Sequence, residues 1–190
     1  MQSGYFSIRN VLEYANNHSY PGIPSSNNHK AVYNGYKGVF QPLLQQVPVI
    51  PGWYAWVKVG DRSLELIYLG KSGKGRTSDV RARLDEEFRD ERIAIWATID
   101  EKLRNSEPRG KYATEAKRSL RKVGVTHIIW WGQAGLNNEQ VKTVECNLIK
   151  KFKPRANIQK GKCIESYTEL TNEAIETFER VMEELKSMKI

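Results

Sequence analysis

Two short alternating stretches, Trp53 to Val59 and Leu64 to Leu69, are joined only by Gly60-Asp61-Arg62-Ser63, and they dictate the first piece of the fold. In the first stretch Trp53, Ala55, Val57 and Val59 alternate with Tyr54, Trp56 and Lys58. That is the period of a strand, whose successive side chains point to opposite faces. A turn this short permits only an antiparallel return, so the region reads as a β-hairpin. Each arm carries a tyrosine enclosed by glycine: Gly52-Trp53-Tyr54 on one, Tyr68-Leu69-Gly70 on the other, followed by Lys71. Strand tyrosines usually pack half-buried with a wet hydroxyl. The turn length sets these two near one another across the pair.

Around the hairpin the periodicity predicts helices. Ser7 caps a short one carrying Ile8, Val11, Leu12 and Ala15 on the helical period. From His18 to Pro51 the chain is rich in Asn, Gly, Pro, Ser and Tyr and reads as an irregular arm. Thr77 or Ser78 caps a helix with Val80, Leu84 and Phe88 on one face. Residues 93–99 fit a strand or a helix equally well, and a helix from about Tyr112 should stop near Gly124. Thr126 to Trp131 reads as a third strand, and a core helix runs from about Asn138 until Pro154 breaks it. Thr171 or Asn172 opens a last amphipathic helix with Ile175, Phe178, Val181 or Met182, Leu185 and Met188 inward. A chain of 190 residues forms one elaborated domain of mixed α+β (α/β) class on this reading. Its small, mainly antiparallel three-stranded sheet is flanked by helices.

The net charge of +8 favours a polyanionic partner. From Glu165 onward seven Glu stand against Arg180, Lys186 and Lys189, so the phosphate-facing surface should lie earlier. Two cysteines, Cys146 and Cys163, make neither a disulfide framework nor a four-ligand zinc site, and read as reduced thiols of a cytoplasmic protein. No apolar run reaches membrane-spanning length, and the N-terminus lacks the basic-then-apolar order of a signal peptide. No membrane partner is therefore expected.

Glu145 carries the sharpest chemical question. Val141, Leu148, Ile149 and Phe152 share its helix face, where an isolated carboxylate would cost several kcal/mol. It is protonated, paired with an arginine or bound to a cation. The loop Gly70-Lys71-Ser72-Gly73-Lys74-Gly75-Arg76-Thr77 nearly matches a Walker A loop, but Arg76 stands where the lysine belongs. Its strand comes from an antiparallel hairpin, which argues against nucleotide hydrolysis. The loop's amides with Lys71, Lys74 and Arg76 suit a nucleic-acid phosphate instead. Arg83 borders the packed face of the next helix, whereas Arg81 and Arg89 read as solvated. Of the histidines, His18 and His29 fall in the arm and His127 opens a strand, so none is set beside a nucleophile.

Gly52-Trp53-Tyr54 and Tyr68-Leu69-Gly70-Lys71, then Arg83-Leu84, Glu145 and Asn157, resemble the GIY-YIG endonuclease superfamily. The resemblance spans roughly Pro51 to Gln159, concentrated in three islands, and includes the run Glu145-Cys146-Asn147-Leu148-Ile149 with Pro154-Arg155-Ala156-Asn157. The sequence departs from the pattern at Trp53, which replaces the middle Ile, and at Glu87, where many members carry His or Tyr. The resemblance implies a core at about 51–159, an N-terminal arm at 1–50, an insertion from Asp90 to Gly124 and a C-terminal helix at about 171–188. It further implies hydrolysis of a phosphodiester in double-stranded DNA with one divalent cation, Mg²⁺ or in its place Mn²⁺, held by Glu145. Tyr54, acting as a phenolate, would take a proton from the attacking water with cationic help from Lys71. Arg83 would stabilise the transition state, Tyr68 would orient water or phosphate, and Asn157 would brace the site. A sequence-specific type II restriction endonuclease, working as a homodimer, fits the single-domain layout. A repair or homing nuclease of the family, or a basic nucleic-acid-binding module without catalysis, are the alternatives.

Overall fold

The structure, a computed structural model, describes residues 1–11, 13, 38–61, 63–89, 124–157, 163–164 and 166–188. Four strands make one antiparallel sheet: β1 (Gln2–Ser7), β2 (Gly52–Val59), β3 (Leu64–Lys71) and β4 (His127–Gly132), in the order β1-β4-β2-β3. Among the described residues the longer helices that cover it are α1 (Val80–Arg89), α2 (Asn138–Phe152) and α3 (Thr168–Ser187). The class is the mixed α+β one expected, but the sheet has a fourth strand. β1 escapes the period-two reading because Gln2-Ser3-Gly4 offers no apolar alternation. It is held by backbone pairing to β4 instead, from Gln2 opposite Gly132 to Ser7 opposite His127.

Alternation along β2 divides the core in two. Tyr54 and Trp56 join Phe6, Ile8, Leu84 and Phe88 on one face of the sheet. Trp53, Ala55 and Val57 join Val144, Leu148 and Phe178 on the other, under α2 and α3. Trp53 thus packs on the face under α2 and α3, and its indole Nε1 donates to the Val141 carbonyl at 2.9 Å.

The expected irregular arm is corrected over its described part. Residues 38–44 are helical, and Phe40, Leu44 and Val47 are buried against Tyr54's face. Their spacing is helical, but it spans too few turns to stand out amid Gly, Pro and Asn. Ser7 does end the first strand with its Oγ accepting from the Arg9 amide at 3.2 Å, and Ile8 and Val11 are buried. The cap of α1 is Asp79 rather than Thr77 or Ser78, since its Oδ1 accepts from the Ala82 amide at 2.8 Å. Thr77 instead closes a short 3-10 turn at Gly75–Thr77. Arg81 is only partly exposed, and its Nε donates to the Val47 carbonyl at 2.5 Å.

Asn137 caps α2, accepting from the Glu139 and Gln140 amides, while the Gln140 side chain answers the Asn137 amide. Lys153, in the left-handed region at φ 47°, ends it just before Pro154. α3 begins three residues earlier than Thr171, at Thr168, and buries Ala174, Phe178, Val181 and Leu185. Met188 is exposed rather than inward, its sulfur accepting from the Tyr5 hydroxyl at 2.9 Å. The reduced-thiol reading is also corrected: Cys146 and Cys163 are joined in a disulfide, their Cα atoms 5.7 Å apart. The chain reverses after α2, and that return brings together two residues 17 apart in sequence. No described helix is long and apolar enough to cross a membrane. The strand-or-helix segment at 93–99, the helix from Tyr112 and most of the insertion from Asp90 lie outside the described residues.

Candidate active site

A single irregularity decides whether the two tyrosines can cooperate. Leu64, Leu66 and Tyr68 share parity, so a regular β3 would send Tyr68 to the α2 face, away from Tyr54. The register instead slips between Trp56 and Val57: Val57 faces Leu66, and Trp56 faces Tyr68. Ile67 is the extra residue of this bulge, which returns Tyr68 to the face of Tyr54. The two rings lie 6.2 Å apart, and Tyr68 packs on Trp56 at 5.1 Å.

The bulge leaves backbone groups on an edge strand to be satisfied, and the segment after α2 does this. The Ala156 amide donates to the Ile67 carbonyl at 2.8 Å. Asn157 then clasps Leu69 from both sides, its Oδ1 accepting from the Leu69 amide and its Nδ2 donating to the Leu69 carbonyl, each at 2.8 Å. Asn157 therefore acts on the residue next to Tyr68, and its side chain is committed to that backbone.

Both motif glycines sit where the chain approaches something closely. A Cβ at Gly70, the residue opposite Tyr54, would fall 2.3 Å from the Tyr54 Cζ. A Cβ at Gly52 would fall 2.2 Å from the Trp131 carbonyl oxygen. Ser72 fastens the hairpin end, its amide donating to the Gly52 carbonyl at 2.9 Å and its Oγ accepting from the Gly52 amide at 3.1 Å.

Tyr54 is fully buried, and its hydroxyl donates to Glu87 Oε1 at 3.0 Å. Arg83, one turn earlier on α1, holds Glu87 Oε1 with one arm of its guanidinium and Glu86 with the other. Burial pushes the Tyr54 phenol well above its ordinary range, the charge of Glu87 and the nearby Tyr68 add to this, and Arg83 opposes it. Tyr68 is raised too, by burial first, then by Glu87 and Glu145, against Arg83 and a hydrogen bond with Tyr54. Burial would weaken Arg83's hold on its proton, but Tyr54, Glu87 and Glu86 outweigh it, and the guanidinium is held more firmly than usual.

Glu145 is buried on the apolar face of α2 with Val141, Leu148 and Ile149, close enough for its charge to act on Tyr68. Tyr54, Tyr68 and Arg83, drawn from three elements, are thus linked in one electrostatic cluster, which the charge of Glu145 reaches at Tyr68. Lys71 is not beside Tyr54. It faces Trp53 in the register, on the other side of the sheet, and its Nζ donates to the Ser72 carbonyl at 3.0 Å. The expected partnership of Lys71 with Tyr54 is replaced by that of Arg83. Lys74 and Arg76 are exposed in the loop between β3 and α1. His127 is buried at the start of β4, its Nδ1 2.9 Å from the Thr126 hydroxyl, and burial, then Arg9, lowers its proton affinity.

Glu87 is the residue that motif matching undervalued. Its signal was its spacing: i+4 from Arg83 and next to Phe88, on the half of α1 that faces the sheet.

No family model, no curated protein and no solved structure matches the chain. What the site can do must be argued from its own geometry.

The donor chemistry for a metal can be tested on the residues present. Among the described residues no three His, Cys, Asp or Glu side chains converge into a cage. A buried hard-oxygen donor, Glu145, remains. Mg²⁺ keeps several waters and commonly takes one or two carboxylates with substrate phosphates, so a site built on Glu145 suits it.

Proposed function

We propose that this chain is a GIY-YIG-type endonuclease that hydrolyses phosphodiester bonds of double-stranded DNA with one divalent cation. One observation carries the reading. Tyr54, Tyr68, Arg83 and Glu145 are scattered over the sequence, yet they are linked through burial, hydrogen bonding and charge around one bulged hairpin. Purely structural tyrosines would not require the bulge, the clasp of Asn157 and the missing side chain at Gly70 together.

In this reading Glu145 holds Mg²⁺, or Mn²⁺ in its place, which supplies charge neutralisation at the scissile phosphate. The chain's own residues do the rest. Arg83, a quarter exposed and firmly protonated, stabilises the charge that develops on the phosphoryl oxygens. Tyr68, partly exposed, orients the water or the phosphate, and Tyr54 receives the proton. Asn157 fixes the backbone beside Tyr68. Lys71, Lys74 and Arg76 serve the DNA backbone, consistent with a net charge of +8. The same reading makes the enzyme a sequence-specific type II restriction nuclease that acts as a homodimer. Segments outside the catalytic islands would contact base edges.

Replacing Glu145 with Ala tests the reading. Cleavage in Mg²⁺ should vanish while DNA binding in a gel-shift assay persists, because the basic surface is untouched. A variant that cuts at a rate comparable to the parent removes the metal assignment.

A further inference from the structure

A protonated phenol can accept a proton only by handing on its own. Tyr54 is such a group here: it is fully buried, and its hydroxyl points at a carboxylate, donating to Glu87 Oε1 at 3.0 Å. Glu87 is itself 3% exposed, so it lies behind the tyrosine and not on the surface. Among the described residues, the groups facing it include Tyr54 from β2, Tyr68 from β3 and Arg83 from its own helix. Arg83, from the preceding turn of the same helix, lies on the carboxylate as a fixed cation and holds it in place behind the tyrosine.

We infer that Glu87 is the proton acceptor behind Tyr54, taking the tyrosine's hydroxyl proton as the tyrosine oxygen receives one from the attacking water. This inference rests on the nuclease reading. One O–H bond of the water breaks as its oxygen forms the new P–O bond. The released proton goes to the Tyr54 oxygen, and the proton Tyr54 already carried goes to Glu87. The P–O bond to the leaving oxygen breaks with its electron pair, and that oxygen takes a proton from solvent. Glu87 then gives its proton back to solvent, so one water is consumed per bond cut. Acting through Tyr54, Glu87 is a positioning and proton-accepting residue that need not touch DNA.

The competing interpretation is an i,i+4 ion pair with Arg83 that merely stabilises α1. The two differ in what a neutral isostere does. Glu87→Gln keeps an oxygen to accept from Tyr54 and Arg83 but cannot take a proton. Glu87→His restores a titratable acceptor of a different range.

The full-length parent, Glu87→Gln and Glu87→His are compared on supercoiled plasmid DNA with Mg²⁺, in single-turnover cleavage from pH 5 to 9, alongside thermal unfolding and gel-shift binding. Glu87→Gln should bind DNA and unfold cooperatively like the parent but cut roughly a hundredfold or more slowly. Glu87→His should cut faster than Glu87→Gln, its rate rising with pH across the imidazole range near about 6.5, a limb the parent lacks. Glu87→Gln cutting within about tenfold of a cutting parent overturns the inference alone. Should Glu87→Gln not fold, Glu87→His decides: a shifted pH limb supports the proton transfer and an unchanged profile overturns it. A parent that leaves the plasmid intact under all conditions sinks the nuclease reading and this inference with it.

Discussion

Gly70 has no side chain because Tyr54 occupies the place where one would begin. A Cβ there would lie 2.3 Å from the Tyr54 Cζ and 2.5 Å from its hydroxyl oxygen, a clash that only movement of the ring relieves. Gly70→Ala should therefore turn Tyr54 away from Glu87. Overpacking of this kind costs about 1–3 kcal/mol, so the fold should survive with a lowered melting temperature. Cleavage should fall on the order of a hundredfold, since the positioned proton acceptor is lost. Calorimetry and single-turnover rates measure the two effects together. A variant with the expected drop in stability but an unchanged rate would return Tyr54 to packing. The sequence made the glycine visible and hid its reason. Gly next to Tyr on each arm was legible, but which ring crosses which glycine depends on a register that alternation alone does not specify.

β3 shows where pattern reading stops. Its alternating leucines, Leu64 and Leu66, correctly mark the face under α2 and α3, but extending that parity to Tyr68 gives the wrong face. The bulge at Ile67 is stabilised by a segment far along the chain, Ala156 and Asn157, and nothing local announces it. β1 and the helical residues 38–44 were missed for a related reason. One is held by backbone pairing, and the other is too short to stand out by period. α2 was legible almost to its ends because every local signal agrees there: Asn137 as cap, apolar residues on one stripe and Pro154 as stop. The pairing of Cys146 with Cys163 follows only from the return of the chain after α2. The clasp on β3 carries its own prediction. Asn157→Ala deletes two hydrogen bonds to the Leu69 backbone, each worth about 1 kcal/mol, so urea unfolding should show a loss of about 2 kcal/mol. Exchange of the Leu69 amide should quicken, and cleavage should slow because Tyr68 is held less firmly. Unaltered exchange at Leu69 together with full activity would remove Asn157 from the site.

The molecule as a whole is a basic chain folded around one sheet with two differently used faces. Under α2 and α3 the packing is tryptophan, phenylalanine and aliphatic side chains, with Trp131 stacked on Phe178 at 4.7 Å. On the other face, the core beneath α1 gives way to Tyr54, Tyr68, Arg83 and Glu87, all hydrogen-bonded or charge-coupled. Charged and phenolic groups gathered over one half of a small sheet are costly to desolvate, and that cost is the physical argument for a working site there. Composition showed only that the chain is basic, while the site emerges from the juxtaposition of residues distant in sequence. Incubating the purified chain with supercoiled plasmid DNA, with Mg²⁺ and with the ion removed by chelation, tests that argument most directly. The site described here predicts discrete linear fragments in Mg²⁺ and intact plasmid after chelation. Intact plasmid under both conditions, or equal cutting in both, would contradict it.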